Sequence, residues 1–229
     1  MLQPFLPSKV LLLLLLLASL PPTLSQQQPS PKCPPLHILT ARETTAPEGH
    51  GSNTPLLNLL TNSSLFPSTL TTEIIIYPAA GGPEYSNSVT TGIAAVIKQT
   101  ATFAARCPST PLILLGYSQG AQIIDDAFCG GPDLPSLEST GSLVMGLVRR
   151  NTVAIVMMGN PRFGGGKTTD QFAARPKGFS CPLFQERIVS YCDSPDPFCS
   201  DGDDEATHQG YGEVYGKDSL AFIMSKILL

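Results

Sequence analysis

One serine in this chain sits where a hydroxyl can be made reactive. Ser118 is the centre of Gly116-Tyr117-Ser118-Gln119-Gly120, directly after the apolar run Leu112-Ile113-Leu114-Leu115. A strand that ends in G-x-S-x-G and gives way to a helix describes a nucleophile elbow. Its turn is so tight that the serine takes a strained backbone conformation and only glycine fits at the flanks. The hydroxyl is lifted clear of the sheet, where a base can reach it. The chemistry this implies is acyl transfer through a serine.

A serine hydroxyl is a poor nucleophile until a base removes its proton. The chain has three histidines. His37 falls inside the first strand and reads as structural. His50 lies in Glu48-Gly49-His50-Gly51, a glycine-rich loop where a solvated role is expected. His208 lies in Ala206-Thr207-His208-Gln209-Gly210, after the last strand and before the closing helix. The order serine, acid, histidine along the chain places the base there. The acid should then fall between Ser118 and His208, where Asp193, Asp196, Asp201, Asp203 and Asp204 compete. The run Asp201-Gly202-Asp203-Asp204-Glu205 reads as a solvated acidic turn. Asp193 and Asp196 lie between Cys192 and Cys199, whose bridge would hold a carboxylate against the imidazole. Spacing alone does not separate the two.

The elements that must carry these groups alternate between strand and helix, the pattern of an α/β fold with a parallel sheet. Strands are predicted over Leu36–Thr40, Glu73–Tyr77, Leu112–Leu115, Asn151–Met158 and Arg187–Tyr191. A short helix is predicted over Pro55–Leu60. Val89, Ile93, Val96, Ile97 and Phe103 give 85–106 the period of a long amphipathic helix. A further helix starts at Gln119, and 217–228 reads as the closing helix, with Leu220, Ile223, Met224 and Ile227 inward. Five parallel strands with helices on both faces is the expected architecture. Ligands in such sheets bind beyond the carboxyl ends of the strands, which is where Ser118 falls.

The first residues read as an address. Lys9, the apolar stretch from Val10 to Leu17 and small residues up to Ser25 describe a secretory signal peptide over 1–25. Its apolar core is short for a membrane span. Residues 26–32, rich in glutamine and proline, are expected to form a flexible lead. Residues 33–229 amount to one domain. Six cysteines in a secreted chain point to disulfides, with no tight C-x-x-C pair to suggest a metal. No metal or cofactor is therefore expected. Asn62-Ser63-Ser64 fits a glycosylation acceptor. A formal charge of −4 with scattered basic residues argues against nucleic acid as a partner, and no later stretch offers a membrane anchor. The protein is expected to be secreted, extracellular and monomeric.

Five segments in order carry a resemblance. They are Ala41-Arg42-Glu43-Thr44-Thr45, the elbow itself, Gly178-Phe179-Ser180-Cys181-Pro182, Ser190-Tyr191-Cys192-Asp193 with Asp196-Pro197-Phe198-Cys199, and Thr207-His208-Gln209-Gly210-Tyr211-Gly212. Together they resemble the fungal cutinase and acetylxylan esterase family over almost the whole chain beyond the leader. The resemblance implies a small α/β-hydrolase fold and assigns the acid to Asp196. It implies an oxyanion hole from the N–H of Gln119 and the hydroxyl and N–H of Thr44. It also implies the bridges Cys33–Cys107, Cys129–Cys181 and Cys192–Cys199. The similarity is closer to acetylxylan esterases, through Arg42-Glu43-Thr44-Thr45 and Thr207–Gly212. The implied substrate is an acetyl ester on xylan or a related plant cell-wall polymer, with longer aliphatic polyesters as the alternative. Three departures bear on acyl preference. The loop 77–85 is short and lacks cysteine, Ala121 is the cutinase-like choice, and Phe198 stands beside the acid. An inactive secreted binding protein on the same scaffold and a serine peptidase are the remaining alternatives.

Overall fold

The apolar runs pair into one parallel sheet. Its strands are β1 (His37–Ala41), β2 (Thr71–Ile74), β3 (Leu112–Tyr117), β4 (Thr152–Met158) and β5 (Ile188–Tyr191), in the order β2-β1-β3-β4-β5. The structure is a computed structural model describing residues 32–66, 69–163 and 174–227. The expected signal peptide and all of the lead before Lys32 lie outside the described residues.

The central strand β3 is buried along its whole length. Its side chains alternate between two cores, as a pleated strand requires. Leu112 and Leu114 join Leu39, Ile155 and Met157 on one face. Ile113 and Leu115 join Ile38, Ala154 and Val156 on the other. The first face is covered by α2 (Tyr85–Arg106), α3 (Gln119–Cys129) and α4 (Gly146–Asn151). The second is covered by α1 (Thr54–Asn62), α5 (Glu205–Val214) and α6 (Gly216–Ile227). In α2, Val89, Ile93, Val96, Thr100 and Phe103 recur every three or four residues and form the buried stripe. In α1, Pro55 occupies the first turn, where its missing N–H costs nothing, and Leu56, Leu57 and Leu60 are buried. Helix α3 is different: every residue from Gln119 to Phe128 is buried, so it is a core helix pressed against the sheet.

Several boundaries differ from the sequence expectation. Strand β2 ends at Ile74 rather than running to Tyr77. The pairing with β1 closes with the Ile75 N–H on the Thr40 carbonyl at 2.8 Å. On the outer edge the Gln99 amide accepts the Ile76 N–H at 2.8 Å and donates to the Ile74 carbonyl at 2.9 Å, taking the place of a further strand. Helix α4 precedes β4 and takes in Asn151, which was expected to open the strand. Helix α5 occupies a segment read as a loop, and the acidic turn before it has a structural task. Asp204 caps α5, accepting from the Ala206 N–H at 3.0 Å and the Thr207 hydroxyl at 2.7 Å.

Three disulfides close, Cys33–Cys107, Cys129–Cys181 and Cys192–Cys199, with sulfur–sulfur distances of 2.06, 2.16 and 2.07 Å. The first ties the start of β1 to the end of α2. The second ties the end of α3 to the segment before β5. The third closes the loop after β5. Asn62 is exposed at the last turn of α1. Among the described residues no helix is long and apolar enough to cross a membrane.

Candidate active site

Ser118 joins β3 to α3 with φ +51° and ψ −119°. Such a conformation costs a non-glycine residue about 1–3 kcal/mol and persists only where its surroundings fix it. Here the Ser118 N–H donates to the Met158 carbonyl at 2.8 Å, and the Ser118 carbonyl accepts the Gln122 N–H at 3.0 Å. The flanking glycines are explained by backbone contact. A Cβ on Gly116 would stand 2.6 Å from Ala121 Cα, and one on Gly120 would stand 2.1 Å from the Ala41 carbonyl oxygen. The start of α3 therefore packs directly on the backbone of β3 and β1, and only glycine allows it.

His208 is held from three sides. It lies within α5, and the Tyr117 hydroxyl, rising from β3, donates to its carbonyl at 2.7 Å. The Phe198 ring lies 4.5 Å from the imidazole, centroid to centroid. Gly159, at the end of β4 with φ +59°, forms the floor. A Cβ there would lie 2.7 Å from His208 Cε1 and 2.8 Å from Nδ1. Nδ1 itself is 2.7 Å from Asp196 Oδ2. A carboxylate acceptor at Nδ1 assigns the proton there in the neutral ring, which leaves the Nε2 lone pair as the basic site.

Asp196 is fully buried and well supplied with donors. Oδ1 accepts the N–H groups of Phe198 at 2.6 Å and Cys199 at 3.2 Å. Oδ2 accepts His208 Nδ1 and the Tyr211 hydroxyl, the latter at 2.9 Å. Burial pushes this carboxyl up, but the bonds from His208, the Phe198 N–H and Tyr211 outweigh it and hold it below its ordinary value. Asp193, the competing candidate, faces elsewhere. Its Oδ1 accepts from the Tyr215 hydroxyl at 2.5 Å and its N–H donates to the Tyr211 hydroxyl at 2.7 Å. The structure thus brings Asp196, not Asp193, to the imidazole.

Ser118, His208, Phe198 and Thr44 line one cleft of about 670 Å³. Gln119 begins α3, and its N–H is one of those a first helical turn leaves without an intrahelical acceptor. Its side chain is anchored away from the cleft, donating to the Ala80 carbonyl and accepting from the Ser88 hydroxyl. The loop carrying Thr44 is clamped by Arg42, which was not singled out for itself from the sequence. The Arg42 guanidinium donates to the carbonyls of Ala46 at 2.9 Å, Tyr77 at 2.8 Å and Pro78 at 3.2 Å. The Tyr77 hydroxyl returns a bond to the Arg42 carbonyl. A charged residue placed directly after a buried strand was the available sequence signal.

The other histidines stand apart from this constellation. His37 stacks on Phe103 at 3.7 Å, with its Nε2 3.4 Å from Glu73. His50 is partly buried, with Nδ1 2.8 Å from the Thr40 hydroxyl, so the solvated role expected for it is corrected. A second cavity of about 450 Å³ is lined by Met157 of β4, Ile188 and Ser190 of β5, Asp125 and Arg175. Among the described residues no three His, Cys, Asp or Glu side chains converge on a metal position.

Comparison with known proteins gives the same direction as the geometry. Residues 32–227 match the family model described as Cutinase. The chain is 43% identical to Cutinase 11 of Verticillium dahliae over 85% of its own length and 70% of the relative's. It is also 43% identical to acetylxylan esterase 2 of Talaromyces purpureogenus, over 85% and 88% respectively. The solved catalytic core domain of acetyl xylan esterase from Trichoderma reesei superposes with a TM-score of 0.76 at 41% identity, covering 85% of this chain and all of that one. By its elbow, its sheet and this match across nearly every described residue, the chain belongs to the cutinase family of carboxylic ester hydrolases.

Proposed function

We propose that the protein is a secreted serine esterase that removes acetyl groups from xylan or a related plant cell-wall polysaccharide. The observation that carries the reading is the imidazole of His208, bonded to buried Asp196 at 2.7 Å and sharing a cleft with a strained Ser118.

The reaction follows from the roles these groups can take. His208 Nε2 accepts the Ser118 proton as Oγ attacks the ester carbonyl carbon. Asp196 keeps Nδ1–H directed and stabilises the imidazolium that forms. The oxygen of the tetrahedral intermediate gains negative charge, and the Gln119 N–H with the Thr44 hydroxyl and N–H donate to it. Collapse expels the sugar alkoxide, which takes the proton from Nε2. Water then attacks the acyl-serine while His208 accepts its proton, and collapse breaks the acyl–Oγ bond, returns that proton to Ser118 Oγ and frees acetic acid, which ionises to acetate. No metal or cofactor enters any step.

The acetyl preference is supported by the cleft wall. Glu43, Thr44, Thr45, Ser52, Glu205 and Gln209 contribute to it, while no Leu, Ile, Val or Met side chain does among the described residues. Its apolar surface comes from Tyr85, Tyr117, Pro161 and Phe198 rather than from flexible aliphatic side chains, and a hydroxyl-rich sugar finds partners among the polar groups. The similarity to Cutinase 11 keeps the longer-chain reading as the alternative. Three disulfides and the basic, apolar start of the chain support secretion. The same reading includes an exposed glycan site at Asn62, a monomeric state and no nucleic-acid partner.

A panel of nitrophenyl esters of increasing acyl length, run beside acetylated xylan, tests this. Steep loss beyond acetyl with acetate release from xylan is expected. Undiminished rates on long acyl chains would transfer the assignment to the cutinase alternative. A fluorophosphonate should label Ser118 in the folded protein, and its failure to do so would remove the enzymatic mechanism.

A further inference from the structure

The Tyr211 hydroxyl lies beside the histidine on the same carboxylate oxygen. We propose that Tyr211 is a positioning residue for the reaction, setting through Asp196 how strongly His208 holds its proton. The inference rests on the reading of Asp196 and His208 as acid and base.

Five contacts carry it. Tyr211 Oη is 2.9 Å from Asp196 Oδ2, the oxygen that also meets His208 Nδ1 at 2.7 Å. Tyr211 Oη accepts the Asp193 N–H at 2.7 Å, which fixes the direction of its own proton toward Asp196. The Tyr211 N–H donates to the Tyr117 hydroxyl at 3.2 Å, and that hydroxyl donates to the His208 carbonyl. Tyr211 is fully buried, so no solvent competes for the bond. Burial also pushes the phenol well above its ordinary value, so it remains a donor at every working pH. Cys199 Sγ also lies near the carboxylate, but its sulfur is bridged to Cys192 and has no proton to give.

The consequence is electrostatic. A second donor on Oδ2 spreads the charge of Asp196 and weakens its pull on the imidazolium. Removing the donor concentrates that charge and favours protonated His208, which cannot act as base. The charged and titratable groups around this triangle are Asp193 on the disulfide loop, Tyr117 on β3, and Tyr215 at the end of α5. Glu205 in the first turn of α5 and Glu43 on the loop after β1 line the neighbouring cleft. Asp218 of α6 acts on Tyr215. Among the described residues, none of these other side chains bonds Asp196 Oδ2.

The test is the pH profile of kcat/KM for acetate-ester hydrolysis in the full chain. Tyr211→Phe keeps the ring and removes only the donor. Its acid limb should move upward by about half a unit to one unit, a three- to tenfold loss at fixed pH on the limb. Replacing Tyr211 by 3-fluorotyrosine, a stronger donor of nearly the same shape, should move the limb the other way. This second variant keeps the question decidable if Tyr211→Phe folds poorly. A purely structural tyrosine would lower thermal stability and scale the rate equally at all pH values. Limbs unmoved in both variants, with Ser118→Ala inactive and wild type labelled by fluorophosphonate, would overturn the role of Tyr211 alone. Activity retained in Ser118→Ala would instead overturn the site reading beneath it.

Discussion

Gly159→Ala tests whether the imidazole is held in place by contact as well as by hydrogen bonding. The added Cβ would lie 2.7 Å from His208 Cε1 and 2.8 Å from Nδ1, and 3.2 Å from Tyr211 Cε2. Ordinary carbon contacts need about 3.5 Å or more, so the ring must move by about 0.7–1 Å. It cannot slide freely, because Nδ1 is bonded to Asp196 and Phe198 closes the other side. A displacement near 1 Å in a reacting group costs on the order of 100-fold in rate. The φ of +59° adds backbone strain of about 1–2 kcal/mol for alanine. For a chain of this size that corresponds to a melting temperature lower by about 2–8 °C. Steady-state kinetics on a nitrophenyl acetate and thermal unfolding of the same preparation measure both effects. A variant within threefold of wild-type kcat/KM would refute the contact argument, whatever its melting temperature.

Three other substitutions probe separate parts of the site and scaffold. Asp196→Asn should lower kcat by roughly 10⁴-fold, because the amide favours the wrong imidazole tautomer. The Asp196 carboxyl is depressed in the folded protein, so its stabilisation is present above the ordinary carboxyl range and is lost as pH falls through the lower folded value. Acid-limb unfolding curves should therefore be flatter in Asp196→Asn than in wild type. Thr44→Ala, by removing one of the donors proposed for the oxyanion, should cost about 10²–10³-fold in kcat with little change in KM, as measured by steady-state kinetics. Arg162→Ala should destabilise by about 3–5 kcal/mol in denaturant unfolding, since it leaves Asp126 and Asp133 buried without the guanidinium 3.1 and 3.3 Å away. Burial already pushes the Asp126 carboxyl well up, with Asp133 adding to this and Arg162 opposing it.

The parts of the molecule that were legible in the sequence are those whose cause is local. The apolar run of β3 and the two glycines after it encode a strand, a tight turn and a buried helix within a few residues. Helix α2 announces itself by period alone, and its observed bounds match the expected ones. Helix α5 was missed because it lacks an apolar stripe and contains Gly210 and Gly212. It forms because Asp204 caps it and because His208 and Tyr211 are buried against the sheet. Gly159 gave no usable signal, and Arg42 gave only that of a charge placed directly after a buried strand. Their tasks exist only once β4 meets α5 and the loop after β1 meets Tyr77. Asp193 and Asp196 looked equivalent from spacing, and the fold separates them by turning one toward the tyrosines and the other toward the imidazole.

The side chain of Gln99 bears on what the border of the sheet can meet. An open border strand offers a ladder that a neighbouring polypeptide can join. Gln99 occupies the outward-facing rungs at Ile74 and Ile76 with groups from its own helix. That leaves a stranger fewer places to attach, so the molecule carries a built-in guard against fibrous self-association at the side of the sheet farthest from β5.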